Sequence, residues 1–146
     1  MNGISKFDQL RIKTDRELLQ LLTNELDHGL TVACEALMSI DGGVSVEESY
    51  AKAKRAYTEA SRWLCLIREI TARERAKLEL NLSRLRAILK GLAVLCSAEP
   101  GQSDVAALAL AFWHARGCPD GSSQRDWFRA ERTLKSRAGS PNCVPA

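Results

Sequence analysis

With 146 residues, 45% of them hydrophobic, the chain is long enough for one folded domain with a small appendage, which excludes disorder throughout. Its net charge is +3, with residues 1–44 net acidic and residues 45–98 net basic. This distribution favours packing of the two regions on each other over binding of a polyanion. The five cysteines are odd in number and form no Cys-x-x-Cys pair, which argues against a disulfide framework or a zinc site.

The beginning of the chain and its apolar runs favour a cytoplasmic protein. The first ten residues, MNGISKFDQL, have neither the basic nor the apolar region of a secretion signal. The longest wholly apolar run, Val105 to Trp113, has nine residues, whereas a membrane-spanning helix needs about 20. We therefore expect a cytoplasmic protein and no membrane partner.

Three segments of similar length open with a hydroxyl residue that is followed three positions later by a glutamate. In such a capping box, the hydroxyl accepts a hydrogen bond from a free amide of the first helical turn, and the carboxylate accepts one from the cap amide. The pairs are Thr14 with Glu17, Ser45 with Glu48, and Thr71 with Glu74. They predict three helices, over about 14–40, 46–70 and 72–96, with residues 1–13 as a short lead-in.

Each of these segments carries a row of apolar residues at helical spacing. In the first helix the row steps by three and four from Leu18 to Ile40, and Asp41-Gly42-Gly43 ends the helix. In the second, alanines alternate with tyrosines at heptad spacing from Val46 to Ile67. In the third, leucines run from Leu78 towards Cys96. The rows predict an antiparallel bundle of three helices over residues 14–97.

The boundary between the second and third helices is not marked by glycine or proline. If the heptad of the second helix continued, it would place Thr71, Glu74 and Asn81 in the core, whereas a row that restarts at Leu78 contains only apolar residues. A turn near residues 69–72 is therefore favoured. One long helix with a stutter is the alternative.

Two shorter helices are predicted in the last third of the chain. A linker at residues 98–103 contains Pro100-Gly101, which cannot continue a helix. The helices cover 104–116 and 123–136, and residues 137–146 are expected to be a disordered tail.

These two helices form a helix-turn-helix hairpin over residues 104–136. The order of Gly117 and Pro119 is typical of a helix end followed by a turn. A piece this short needs an apolar surface from outside itself to fold against. We expect that surface on the second helix, beside Trp63, Leu66 and Ile70.

The hairpin also carries a sequence pattern. From Ala109 to Leu134 the chain reads ALAFWHARGCPDGSSQRDWFRAERTL. It resembles the bacterial domain-of-unknown-function family 2934, in which an aromatic-bearing helix precedes G-x-P-x-G, a tryptophan and an alanine-glutamate pair. Leu110 and Asp126 depart from the family, which often has tyrosine and histidine there. The resemblance implies a bacterial helical hairpin, and the family has no assigned activity. The pattern positions are Trp113, Gly117, Pro119, Gly121, Trp127, Ala130 and Glu131.

The residues do not form a known catalytic or cofactor-binding pattern. The two histidines, His28 and His114, lie on separate helices without metal-ligand spacing, and there is no phosphate loop or dinucleotide fingerprint. We therefore predict no catalytic residues, no cofactor, no metal and no small-molecule ligand. An enzyme that uses Cys118 with His114 is the weakest of the alternatives.

Two kinds of partner are compatible with the remaining residues. The first is another protein or a second copy of the chain, bound by aromatic residues along the second helix, since aromatics dominate interface energetics. The same residues would equally well hold the third helix or the hairpin. The second is DNA or RNA, bound by a basic face of the last helix. The aromatic residues are Tyr50, Tyr57 and Trp63, and the basic residues are Arg125, Arg129 and Arg132.

Overall fold

The computed structural model describes residues 6–39, 45–96, 102–121 and 123–138. Within these ranges the chain forms α-helices and no strand, which confirms the all-α fold. The helices are α1 (Lys6–Met38), α2 (Val46–Leu64), α3 (Ala72–Cys96), α4 (Gln102–Ala115) and α5 (Ser123–Ala138). The first three helices pack against one another as a bundle, α4 packs on α3, and α5 packs on α4. None of the described helices combines the length and the apolarity that crossing a bilayer requires.

Several predicted features lie outside the described residues. They are residues 1–5 of the lead-in, the turn at Asp41-Gly42-Gly43, residues 98–101 of the linker and residues 139–146 of the tail. Residues 102 and 103, which were assigned to the linker, begin α4. Residues 137 and 138, which were assigned to the tail, end α5.

The start of α1 differs from the prediction. The helix begins at Lys6, so most of the lead-in predicted for residues 1–13 is helical. Thr14 lies inside the helix, where its hydroxyl donates a 2.8 Å hydrogen bond to the carbonyl of Leu10 one turn earlier. The capping box predicted at Thr14 is wrong because no glycine or proline stands between Lys6 and Thr14 to start the helix later.

The full capping box is present at Thr71, and Ser45 caps α2 through its hydroxyl. The Ser45 hydroxyl accepts from the amide of Glu48 at 3.3 Å. At Thr71 the hydroxyl accepts from the amide of Glu74 at 3.1 Å, and the Glu74 carboxylate accepts from the Thr71 amide at 3.3 Å. The same carboxylate accepts from the Arg16 guanidinium of α1 at 2.8 Å. The bonds with Thr71, and after them the Arg16 charge, hold the pKa of Glu74 below its ordinary value.

The second and third helices are separate, as predicted, but α2 ends at Leu64, earlier than expected. The connecting loop is held from α1 by Asp15, a buried carboxylate that accepts from the amides of Arg68 and Glu69 at 3.3 and 3.0 Å. Two loop amides without a helical partner are satisfied in this way. The loop that Asp15 holds marks the end of the bundle, and the N-terminal part of α1 continues past this loop.

The predicted apolar rows form the core of the bundle. A Cβ atom placed on Gly29 of α1 would lie 2.7 Å from the Cβ of Ala56 on α2, so the two helices approach closely at this glycine. Tyr50 and Tyr57 are half-buried and pack against the core. The fully buried leucines and isoleucines include Leu26, Leu37, Leu85, Ile88 and Leu92.

The hairpin docks on α3. A Cβ atom placed on Gly91 of α3 would lie 2.2 Å from the Cβ of Ala111 on α4, and the neighbouring Phe112 is fully buried. The bundle and the hairpin share one continuous apolar core. The surface expected beside Trp63, Leu66 and Ile70 is not the docking site, and Leu66 remains 64% exposed.

Candidate functional site

The G-x-P-x-G segment forms the turn between α4 and α5. Gly117 has φ of 87°, and its amide bonds to the carbonyl of His114 at 3.1 Å, while the Cys118 amide bonds to the carbonyl of Trp113 at 3.0 Å. These two bonds form a Schellman motif, which needs a left-handed residue where Gly117 stands. Gly121 has φ of 75°, a second position that favours glycine.

The two tryptophans of the pattern are held in different halves of the hairpin. The indole N–H of Trp113 donates to the carbonyl of Pro119 at 2.9 Å, which ties the turn to the end of α4. The indole N–H of Trp127 donates to Glu131 one turn further along α5 at 3.2 Å. Ala130 is fully buried in the core. These residues therefore shape the hairpin.

A buried ion pair closes the hairpin. The Arg116 guanidinium, at the end of α4, donates to the Asp126 carboxylate of α5 at 2.7 Å, and Asp126 is only 1% exposed. The second carboxylate oxygen, Oδ2, is buried and has no partner among the described residues. In the sequence, Asp126 stands out as a departure from the family pattern and as an acidic residue at the start of the fifth helix, and neither signal pairs it with Arg116. The signal that was missed is an arginine and an aspartate placed on either side of the glycine turn.

Cys118 and His114, which were considered as an enzyme pair, lie in contact. The Cys118 sulfur is 3.5 Å from Nδ1 of His114. Burial, and after it the charge of Arg84, lowers the pKa of His114, so the imidazole is neutral near pH 7. The thiol stands just past the C-terminal end of α4. Among the described residues no group of three His, Cys, Asp or Glu side chains is placed to hold a metal ion.

Arg84 connects α3 to the same turn. Its guanidinium donates to the carbonyl of His114 at 2.9 Å, at the C-terminal end of α4 where a cation is favourable. Burial raises the pKa of the Cys34 thiol on α1, and the charge of Arg84 partly opposes this rise. Cys34 is therefore a protonated, half-buried thiol.

The basic face of α5 is divided. The Arg129 guanidinium lies 4.4 Å from the centre of the Phe112 ring and donates to the sulfur of Met38 at 3.6 Å, so it is half-buried between α5 and the rest of the fold. Arg125 and Arg132 are exposed. Nucleic-acid binding through α5 remains a prediction, and it would depend on Arg125 and Arg132 rather than on Arg129.

The aromatic residues predicted as interaction anchors are partly used inside the fold. Tyr50 and Tyr57 pack against the core, and Lys54 lies over the Tyr50 ring at 5.7 Å. The indole N–H of Trp63 donates to Glu59 at 2.8 Å. Trp63 also lines a groove of about 370 Å³ between α1 and α2, which we call the α1–α2 groove. Its lining residues are Leu21, Leu22, Glu25, Arg55, Glu59, Ala60 and Trp63.

An exposed apolar face on α1 was missed by the sequence reasoning. Phe7, Leu10 and Leu21 are 85%, 63% and 59% exposed, and helical spacing places them on one side of α1. We call these three residues the α1 face. The sequence predicts residues 1–13 as a lead-in, and the apolar row predicted for the first helix starts at Leu18 and omits Leu21, so neither prediction contains this face. A test for apolar residues spaced by whole helical turns from Phe7 to Leu21 would have found it.

The comparisons with known proteins concern the hairpin alone. A family model described as "Protein of unknown function (DUF2934)" matches residues 102–136. No curated protein and no solved structure matches the chain. The matched segment contains α4, the glycine turn and nearly all of α5. The resemblance found in the sequence is thus confirmed for residues 102–136, and the three-helix bundle lies outside the match.

Proposed function

We propose that this is a cytoplasmic bacterial protein that functions by self-association, with a second copy of the chain bound to the α1 face. The observation that supports this proposal is the exposure of Phe7, Leu10 and Leu21 on one side of a helix. Burying a leucine or phenylalanine side chain contributes about 1.5–3 kcal/mol. In a symmetric dimer each such side chain is buried twice, once in each copy.

The charges beside the α1 face favour a second copy over an unrelated partner. Lys13 and Glu17 are both exposed, stand one turn apart and flank the face on the same side. A surface that carries both signs in this way is complementary to itself when two copies meet. A symmetric contact of this kind needs no other component.

Light scattering of the purified full chain tests the proposal, with two leucines of equal exposure as variant and control. Leu10 on α1 and Leu80 on α3 are both 63% exposed. We expect the wild-type chain and Leu80→Asp to be dimers and Leu10→Asp to be a monomer, with the helical content of all three unchanged by circular dichroism. A monomeric wild-type chain, or a dimer that Leu10→Asp leaves intact, would overturn the proposal.

The same samples test the nucleic-acid alternative. Mixed DNA and RNA are titrated at two salt concentrations, because affinity that rests on phosphate contacts falls steeply with salt. The exposed Arg132 and the half-buried Arg129 supply the variants. A monomer whose binding is weakened by Arg132→Gln would support α5 as the functional surface. A dimer that binds neither nucleic acid supports self-association.

A further inference from the structure

We infer that the second copy binds antiparallel to the first, with the two-fold axis beside Thr14, and that the first residues of each α1 lie in the α1–α2 groove of the other copy. This inference rests on the proposed self-association and adds the binding site and the orientation. It makes the groove beside Trp63 a specific receptor for residues 6–14 of a second chain. We call residues 6–14 the α1 extension, because they continue past the loop that Asp15 holds.

The spacing of the exposed side of α1 supports an antiparallel pairing. The row runs from Phe7 through Leu10, Thr14 and Leu18 to Leu21 in steps of three, four, four and three residues, and Leu18 is half-buried against the core while the other four are exposed. This order is the same in both directions. A two-fold axis at Thr14 therefore places Phe7 of each copy opposite Leu21 of the other, and Leu10 opposite Leu18. A parallel pairing would instead place the two Phe7 side chains together.

The shape of the protein leaves room for this pairing. The loop held by Asp15 ends the bundle one residue beyond Thr14, and residues 6–14 are exposed on every side. Two copies related by an axis at Thr14 therefore meet end to end, with each α1 extension beside the bundle of the other copy. The helix cannot fill its own groove, because Phe7 and Leu21 lie about 21 Å apart along the axis of one continuous helix.

The α1–α2 groove fits the α1 extension in position and polarity. Leu21, which the two-fold axis places opposite Phe7 of the second copy, lines the groove together with Leu22 and Trp63. Its volume of about 370 Å³ lies at the lower end of the roughly 300–1,000 Å³ typical of small-molecule pockets, which leaves room for an aromatic side chain. An aromatic ring that enters between Leu21 and Trp63 is removed from water on both faces.

The charges on the two surfaces are complementary. The α1 extension carries three basic residues and one acidic residue, which are Lys6, Arg11, Lys13 and Asp8. The groove is lined by two acidic residues, Glu25 and Glu59, and one basic residue, Arg55. A net positive helix thus lies in a net negative groove, twice per dimer. At the axis, Lys13 of each copy comes within one helical turn of Glu17 of the other.

Disulfide trapping between two different single-cysteine variants tests the orientation. In a full-length background whose native cysteines are replaced by serine, Phe7→Cys and Leu21→Cys are prepared separately, mixed in equal amounts and oxidised with diamide. Antiparallel pairing predicts a covalent dimer only in the mixture, up to about half of all dimers, because mixing makes half of them heterodimers with one facing pair of cysteines. Phe7→Cys mixed with Leu80→Cys is the matched control and is expected to give no covalent dimer.

The other outcomes distinguish a failure of this inference from a failure of the proposed self-association. A covalent dimer of Phe7→Cys alone would show parallel α1 helices and overturn the inference, while self-association would stand. Equal trapping of Leu80→Cys with Phe7→Cys would show a different contact surface and also overturn it. A wild-type chain that is monomeric by light scattering would overturn both. Circular dichroism of each variant confirms that the serine background is folded before it is oxidised.

Discussion

Gly91 of α3 and Ala111 of α4 are in such close contact that a Cβ atom on the glycine would lie 2.2 Å from the Cβ of the alanine. In an open helix, replacing glycine by alanine stabilises by about 0.5–1 kcal/mol. Here the added methyl group must push α4 away from α3, an overpacking that costs about 1–3 kcal/mol. We expect Gly91→Ala to lower the free energy of unfolding in urea. The double variant Gly91→Ala/Ala111→Gly restores space and recovers part of the loss, and a stabilised Gly91→Ala would contradict the contact.

The Arg116–Asp126 pair gives a second prediction. Asp126→Ala leaves the Arg116 guanidinium without its carboxylate partner. Because Arg116 is partly exposed, we expect the free energy of unfolding to fall by about 3 kcal/mol, the lower end for breaking a buried pair. Asp120→Ala, in the turn and exposed, is the control and should be nearly neutral. Replacing both partners, by Arg116→Met with Asp126→Leu, should recover most of the loss in chemical denaturation. Equal losses for the single and double variants would show that the pair is not the cause.

The capping box of α3 predicts a pH dependence. The bonds with Thr71 lower the pKa of Glu74 in the folded protein, so folding favours the ionised carboxylate. The stabilisation is complete above the ordinary pKa of 4.5 and is lost as the pH falls through the lower pKa of the folded state. The wild-type chain should therefore exceed Glu74→Gln in unfolding free energy at neutral pH, with the difference vanishing in acid. Thr71→Ala also removes the cap bond to the Glu74 amide, so it should lower the unfolding free energy in acid as well. A difference for Glu74→Gln that persists in acid would exclude this cause.

Cys118 predicts a stabilising substitution. Its φ of 59° lies in the left-handed region, where a side chain costs about 1–2 kcal/mol and glycine costs nothing. Cys118→Gly loses the contact with His114, so we expect a net gain of about 0.5–1 kcal/mol in unfolding free energy. Cys118→Ser keeps the side-chain strain and should not gain. If serine stabilises as much as glycine, the thiol rather than the backbone is responsible.

Local sequence patterns were sufficient to predict the helices but not the contacts between them. The box at Thr71 and the leucine row from Leu78 lie within one helix, and both were predicted correctly. The same local pattern at Thr14 was wrong because a capping box cannot report that the preceding residues are also helical. Contacts between distant positions have no local signal, which is why three of them were missed. They are Asp15 with the loop amides, Gly91 with Ala111, and Arg129 with Phe112.

The bond from Arg84 to the His114 carbonyl has a consequence for fusing residues 102–136 to another protein. The segment contains its own glycine turn and its own ion pair, but the guanidinium that covers the end of α4 and the glycine that admits Ala111 both come from α3, outside the match. If residues 102–136 are fused to another protein, the helix of that protein on which α4 packs must therefore carry one small residue and one long cationic residue two helical turns apart.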